Sequence, residues 1–334
     1  MSRLSENLFA QSPAGYSEPV VDPQSRTYYQ ADLRTGEAAS ASWQLVVDGS
    51  IVLTPQAQEI IAARKKREAE LAFQKKLESG LGRFIAMRFE RGSSISWLPT
   101  EMLARLVFLA TYADYGGQLM YTKRTPMTKK LMSNAMGLSR NTFYRFCHAI
   151  VDSGIAQENS DGSLHLSEEY FLRGKFAKRT GYDNGWVKIF ADQMRMLYRN
   201  TSVSRHRYLG AMLRMAPFLS TKYNLICRDP FENTLAEAID SAMSMAEICS
   251  MLDIDPSNST AYRTYCKRLS FFSDGNVHPF CSITRYESGP ELVFLSPRVL
   301  FAGEDWEMVE GIITRQEEES ATLLRETSPQ LIVS

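Results

Sequence analysis

Five polar side chains lie close together in the middle of this chain: Ser139, Arg140, Asn141, Tyr144 and Arg145. An arginine carries a planar fork of N–H donors that matches O6 and N7 of guanine, and an asparagine carboxamide pairs in the same way with N6 and N7 of adenine. Serine and tyrosine add hydroxyls. Such a set can read base edges when one rigid element holds it on one face. The apolar spacing supplies that element. Phe143, Phe146 and Ile150 recur at i, i+3 and i+7, as on the buried stripe of a helix. Arg140, Asn141, Tyr144 and Arg145 then fall on its other faces. Between Asp114 and Asp152 there is no acid, and the same window holds six bases: Lys123, Arg124, Lys129, Lys130, Arg140 and Arg145. In a chain of zero formal charge this is a local positive patch. Lys123, Arg124, Lys129 and Lys130 are candidates for phosphate contact.

The flanking residues predict how the set is positioned. Met127–Met136 reads as a first helix with Thr128 as N-cap. Gly137 stops it, because glycine enters the left-handed region at little cost. Leu138 plugs the turn, and Ser139 caps a second helix over Arg140–Ser153. Past Gly154, Ile155–Gln157 and Leu164–Leu166 flank the hairpin turn signal Asn159-Ser-Asp-Gly162. The whole is a helix-turn-helix followed by a β-wing. The wing holds Glu158 and Asp161 and no Lys or Arg, so its tip should avoid phosphates. The alternative to DNA contact is a helix-turn-helix used only for packing, or a winged helix that contacts protein. Upstream, Pro99-Thr-Glu101 opens a strongly apolar helix through Ala113, and Phe84–Phe89 and Ile95–Trp97 are expected to pair as strands around Arg91-Gly92.

From Arg173 to Arg214 there are ten bases against two acids, a net of plus eight. Two readings stay open: a linker helix along phosphates, with Arg173, Lys175, Lys178 and Arg179 as contacts, or a charged helical face in water. A second copy of the architecture follows. Tyr208–Leu219 reads as a helix and Lys222–Cys227 as a short strand. Ser244 and Glu247 form a capping box on a helix through Leu252, and Ile254 is the turn plug. Thr260–Phe271 is the second recognition helix, with Tyr262, Tyr265 and Leu269 inward and Arg263, Lys267 and Arg268 as phosphate candidates. Val277–Thr284 and Leu292–Leu295 resemble wing strands. The two units end alike, Leu166-Ser-Glu-Glu-Tyr-Phe-Leu-Arg-Gly174 against Leu295-Ser-Pro-Arg-Val-Leu-Phe-Ala-Gly303, which suggests an internal duplication. Asp253 stands where the first unit has its turn glycine.

The expected fold class is therefore mostly α with small β-wings (α+β), tandem winged-helix domains preceded by a small β/helical N-terminal extension. The expected segments are a flexible, short-strand region 1–54, a charged linker helix 55–80, a first winged domain 81–180, a basic linker helix 181–206, a second winged domain 207–303 and an acidic tail 304–334. In the N-terminal region Arg26–Asp32 and Gln44–Val47 look like strands. The tail from Glu304 to Glu326 carries eight acids and two arginines, a net of minus six.

Composition bounds the function. At 334 residues and 44% hydrophobic, the chain can bury real cores in two or three domains. The five cysteines, Cys147, Cys227, Cys249, Cys266 and Cys281, have no C-x-x-C spacing, so free thiols of a reducing cytoplasm are expected. Neither a signal peptide nor a membrane span is apparent. No phosphate loop, nucleophile elbow or zinc-protease motif is present, and the four histidines are scattered. Cys147-His148 diverge by about 100° on a helix. Tyr28-Tyr29 lacks the histidine cluster a nicking tyrosine would need. No enzymatic activity, cofactor or metal is expected.

Met127–Ile155 resembles the helix-turn-helix of bacterial winged-helix regulators and of plasmid replication initiators, through Thr128-Lys-Lys130, Gly137-Leu-Ser-Arg140 and Asn141-Thr-Phe-Tyr-Arg145. Residues 97–303 are also similar to phage and prophage proteins, through Met102–Tyr112, Arg140–Phe146 and Lys222–Cys227. The resemblance implies a sequence-specific protein of a mobile element with double-stranded DNA, and a second copy of itself in a homodimer, as partners, controlling transcription or initiating replication. A module that captures a host transcription or replication protein, such as RNA polymerase, is the alternative, favoured by the neutral net charge, the acidic wing and the acidic tail.

Overall fold

The computed structural model describes residues 20–22, 27–29, 59–60, 62–65, 68, 72, 75, 79–89, 94–173, 186–231, 234–273, 275–285, 289–303 and 311. The chain divides into two compact units, residues 1–72 and 73–334. In the first, β1 (Val20–Asp22) pairs antiparallel with β2 (Thr27–Tyr29), Val20 opposite Tyr29. Residues 20–22, expected as lead-in, thus form a strand, while Gln44–Val47 lies outside the described residues. The described residues from Glu59 to Ala72 are helical, and Arg64 pairs with Glu68 one turn on at 3.1 Å.

The second unit is α+β, with helices packed around small antiparallel sheets. Its centre is a four-stranded sheet in the order β12 (Leu300–Phe301), β7 (Trp186–Phe190), β3 (Phe84–Arg88) and β6 (Phe171–Leu172). Of these strands only β3 was expected, and with a different partner. Strand β3 (Phe84–Arg88) opens the first half and is followed by one helical turn at Ser94–Trp97, which replaces the strand expected there. Next come α1 (Thr100–Ala110), α2 (Lys129–Met136) and α3 (Arg140–Asp152), then the hairpin β4 (Ala156–Glu158) and β5 (Leu164–Leu166), and β6 (Phe171–Leu172). The second half runs β7 (Trp186–Phe190), α4 (Ala191–Asn200), α5 (His206–Arg214), α6 (Leu235–Asp240), α7 (Met245–Met251) and α8 (Ser259–Cys266). It ends with the hairpins β8 (Ser270–Ser273)/β9 (Asn276–Pro279) and β10 (Cys281–Arg285)/β11 (Glu291–Leu295), and β12 (Leu300–Phe301).

Several boundaries move relative to the sequence reading. The segment 181–206, expected as a basic linker helix, holds the fully buried strand β7 before α4. Trp186, Val187, Ile189 and Phe190 drive that burial, and a sheet interior tolerates one lysine when its ammonium finds an acceptor. Lys188 does so, donating to the Gly303 carbonyl at 2.7 Å. The helix expected over Thr260–Phe271 ends at Cys266, because Ser270–Ser273 turns into a hairpin that the first half lacks.

Local signals did act where the sequence placed them. Gly137 takes φ 61° at the end of α2, and Asp253 takes φ 55° at the corresponding end of α7. Phe143, Phe146, Ile150 and Leu269 are buried, and Tyr262, Tyr265 and Ile254 pack against the core. Ser244 and Glu247 close a reciprocal capping box. Most of the buried apolar residues of both halves join in one cluster, from Ile85 through Phe146 to Ala302, so neither half closes its core alone.

A set of backbone bonds in the first half recurs in the second. Leu119 donates its N–H to Leu164 O, and Ile226 to Val293 O. Leu166 donates to Gly117 O, and Leu295 to Asn224 O. Gly117 and Asn224 both have positive φ, 89° and 54°. In the repeated Leu-Ser ending, Ser167 O accepts from Tyr170 and Phe171, and Ser296 O accepts from Val299 and Leu300. Those turns deliver β6 and β12 to opposite edges of the central sheet, β6 against β3 and β12 against β7.

Candidate nucleic-acid interface

Helix α3 begins at Ser139, whose hydroxyl accepts the Thr142 N–H at 3.4 Å and lies 2.8 Å from Thr142 Oγ1. Ser139, expected from sequence to touch a base, therefore has its oxygen committed to capping. Arg140, Asn141, Tyr144 and Arg145 are all exposed. The Arg140 guanidinium stands 5.7 Å from the Tyr144 ring centroid, close enough for a cation–π attraction that orients both. His148, one turn beyond Tyr144, is exposed and extends the same stripe. In the sequence it stands out only as half of a Cys-His pair, although its i+4 spacing from Tyr144 places it here. Its neighbour Cys147 is buried, and that burial pushes the thiol up to about 12, so Cys147 and His148 form no nucleophile–base pair.

The flank of α3 is cationic. Residues 121–125 form a tight loop closed by Tyr121 N–H to Thr125 O at 2.8 Å, with Lys123 and Arg124 exposed at its tip and Tyr121 exposed beside them. No spacing or charge pattern in the sequence marks Tyr121 as part of this flank. Lys130 is exposed at the start of α2. Lys129 is half-buried and paired with Glu158 of β4 at 2.6 Å, so one of the expected phosphate contacts is partly neutralised from within. The other acid of this hairpin, Asp161, accepts the Ser163 hydroxyl and N–H, and these bonds hold its carboxyl below the usual carboxylate range. The β4–β5 hairpin thus keeps a negative tip beside a positive helix face.

The remaining expected contacts fare differently. Lys175, Lys178 and Arg179 lie outside the described residues, as does nearly all of the acidic tail. Arg173 donates to Ala113 O at 2.5 Å and stands 5.7 Å from the Tyr115 ring. Arg195 donates to Thr111 Oγ1 at 2.9 Å and Thr111 O at 2.7 Å, and lies 3.9 Å over the Tyr112 ring. Arg214 donates to Leu98 O. These guanidinium groups satisfy carbonyls at the two ends of α1, and those at its C-terminal end also complement the helix dipole. Much of the plus-eight segment is therefore internal bracing for the joint between the halves. Arg263, expected on phosphate, forms a two-pronged pair with Glu291, which is buried and also accepts the Met245 N–H. Breaking that pair would strand a buried carboxylate. Lys267 and Arg268 remain exposed just past the end of α8.

The faces corresponding to the basic flank differ sharply between the halves. Where the first half has Lys123, Arg124, Lys129 and Lys130, the second has the inserted helix α6, with Asp229, Glu237 and Asp240 exposed, and Asp253 and Asp255 ahead of α8. Arg228 there is paired with Glu247.

Comparison with protein families, curated proteins and solved structures finds no match. Among the described residues no helix is long and apolar enough to cross a membrane, and no group of three or more His, Cys, Asp or Glu is placed to hold a metal ion.

Proposed function

We propose that this chain is a sequence-specific double-stranded DNA-binding protein built from two winged-helix halves, with α3 entering a major groove. One observation carries the reading. A capped helix, entered through the left-handed turn at Gly137, exposes Arg140, Asn141, Tyr144 and Arg145 on one side and buries Phe143, Phe146 and Ile150 on the other. Lys123, Arg124 and Lys130 flank it where phosphates would run. A role on a mobile element's own DNA, in transcription control or replication initiation within the cytoplasm, follows from the resemblance of Met127–Ile155 to such proteins. No catalytic step and no cofactor belong to this reading.

The test is binding to a selected duplex by the full chain and by Arg140→Ala and Asn141→Ala. Removing one side of a bidentate pair with a base costs about 1–3 kcal/mol on the specific site and leaves non-specific affinity nearly unchanged. Equal loss on both DNAs would reduce these residues to phosphate contacts.

A second reading, capture of a host protein, is favoured by the acidic face around α6. Phe231 and Leu235 are exposed among its acids. Capture of one host protein in the absence of DNA, abolished by Phe231→Ser, would support it.

A further inference from the structure

The central sheet has a two-fold relation written in its register. Ala86 pairs with Lys188, and the ladder is symmetric about that pair: Phe84 faces Phe190 and Arg88 faces Trp186. A rotation of 180° normal to an antiparallel pair exchanges its strands and reverses their direction. It carries the edge pairs Ala86–Leu172 and Met87–Phe171 onto Lys188–Phe301 and Ile189–Leu300. The relation extends outward. The bridge Gln118–His165 recurs as Leu225–Phe294, and Met120–Pro126 as Cys227–Ala242. Helices α1 and α5 pack on one another, so closely that a Cβ on Gly210 would meet Thr100 O at 1.6 Å. The chain is an internal dimer whose halves are related as the subunits of a C2 dimer are.

Resting on the DNA reading of α3, we infer that one chain reads a bipartite site whose two half-sites are inverted and unlike in sequence, one taken by α3 and the other by α8. In two-fold dimers that use this type of motif, the symmetry of the protein is mirrored in the symmetry of the operator. Here the symmetry is covalent, so a single chain supplies both halves. The half-sites are unlike because the two reading faces are unlike. Helix α3 offers Arg140, Asn141, Tyr144 and Arg145. Helix α8 offers the exposed Thr260, Thr264, Lys267 and Arg268, with Arg263 held by Glu291. Its basic pair sits just beyond the last turn, and acids precede its first turn. The α8 half-site is therefore the weaker one.

Selection from a random duplex pool with the full-length chain tests this. The expected motif has two blocks in inverted orientation, their centres about 10–10.5 base pairs or a multiple apart. Native mass spectrometry should find one chain on each selected duplex. Lys267→Ala with Arg268→Ala should relax the weaker block alone, and Arg140→Ala the stronger block alone. A single-block motif, a direct repeat, two chains per site, two duplexes bridged by one chain, or a motif indifferent to Lys267 and Arg268 would each overturn the inference while leaving DNA binding by α3 intact. A pool with no enriched sequence would overturn the DNA reading itself, and this inference with it.

Discussion

Gly210→Ala is the sharpest test of the joint that couples the two halves. Two effects oppose each other. Gly210 lies inside α5, where alanine is favoured over glycine by about 1 kcal/mol. Against this, the new Cβ would sit 1.6 Å from Thr100 O and 2.4 Å from Thr100 C. An ordinary carbon–oxygen contact needs more than about 3 Å, and the obstacle is backbone with no rotamer to yield. Helix α1 must retreat by more than about 1 Å from a face that buries Leu103, Leu106, Leu209 and Leu213. Overpacking costs about 1–3 kcal/mol where side chains can adjust. A backbone clash belongs at or above the upper end, leaving a net loss of about 2 kcal/mol or more. For a unit of this size that is a fall in Tm of roughly 4–8 °C. Urea unfolding and calorimetry read it directly. Because the joint sets where α8 lies relative to α3, the substitution should also alter the preferred spacing of a two-block site. Unchanged stability, or a gain near 1 kcal/mol, would show that propensity alone governs the position and that α1 does not bear on α5 as described.

Other tests address separate parts of the molecule. Asn224 is fully buried, and its Nδ2 donates to Leu295 O at 2.8 Å and Leu300 O at 2.7 Å. Asn224→Ala leaves both carbonyls short of a donor and places alanine at φ 54°, so it should cost about 2–4 kcal/mol in chemical unfolding; a loss below about 0.5 kcal/mol would remove Asn224 as the tie between β11 and β12. Burial, then the nearby Arg105 charge, lowers His206 from 6.5 to about 4, against the opposing bond to Thr201 O. The neutral form is the folded one, so stability is complete above pH 6.5 and falls towards pH 4 by at most about 3 kcal/mol. His206→Gln should flatten that slope in unfolding curves, and an unaltered slope would assign it to other groups. Lys123→Gln with Arg124→Gln should weaken binding on all duplexes alike and flatten the log–log salt slope by roughly 0.9 for each phosphate no longer neutralised; a constant slope would leave the loop tip in solvent.

The local elements were legible in the sequence because their causes are local. Gly137 ends α2 since it tolerates φ 61°, Ser139 caps α3 with its own hydroxyl, and the i, i+3, i+7 spacing of Phe143, Phe146 and Ile150 leaves one buried face. The exposed stripe of α3 follows from that spacing. The repeated Leu-Ser ending was also readable, although its purpose was not. Tertiary structure alone decided the central sheet, because β3, β6, β7 and β12 come from distant segments and two of them are two residues long. No periodicity survives over two residues, and pairing across such separations is set by which edges the folded halves bring together. Charge misled for the same reason. A count of plus eight from Arg173 to Arg214 does not distinguish a base facing solvent from one facing a carbonyl. Lys188, Arg195 and Arg214 found carbonyl acceptors at Gly303, Thr111 and Leu98 once α1, α5 and the sheet had come together. A burial that costs a charge its water is offset only by partners that the sequence does not name and the assembled fold supplies.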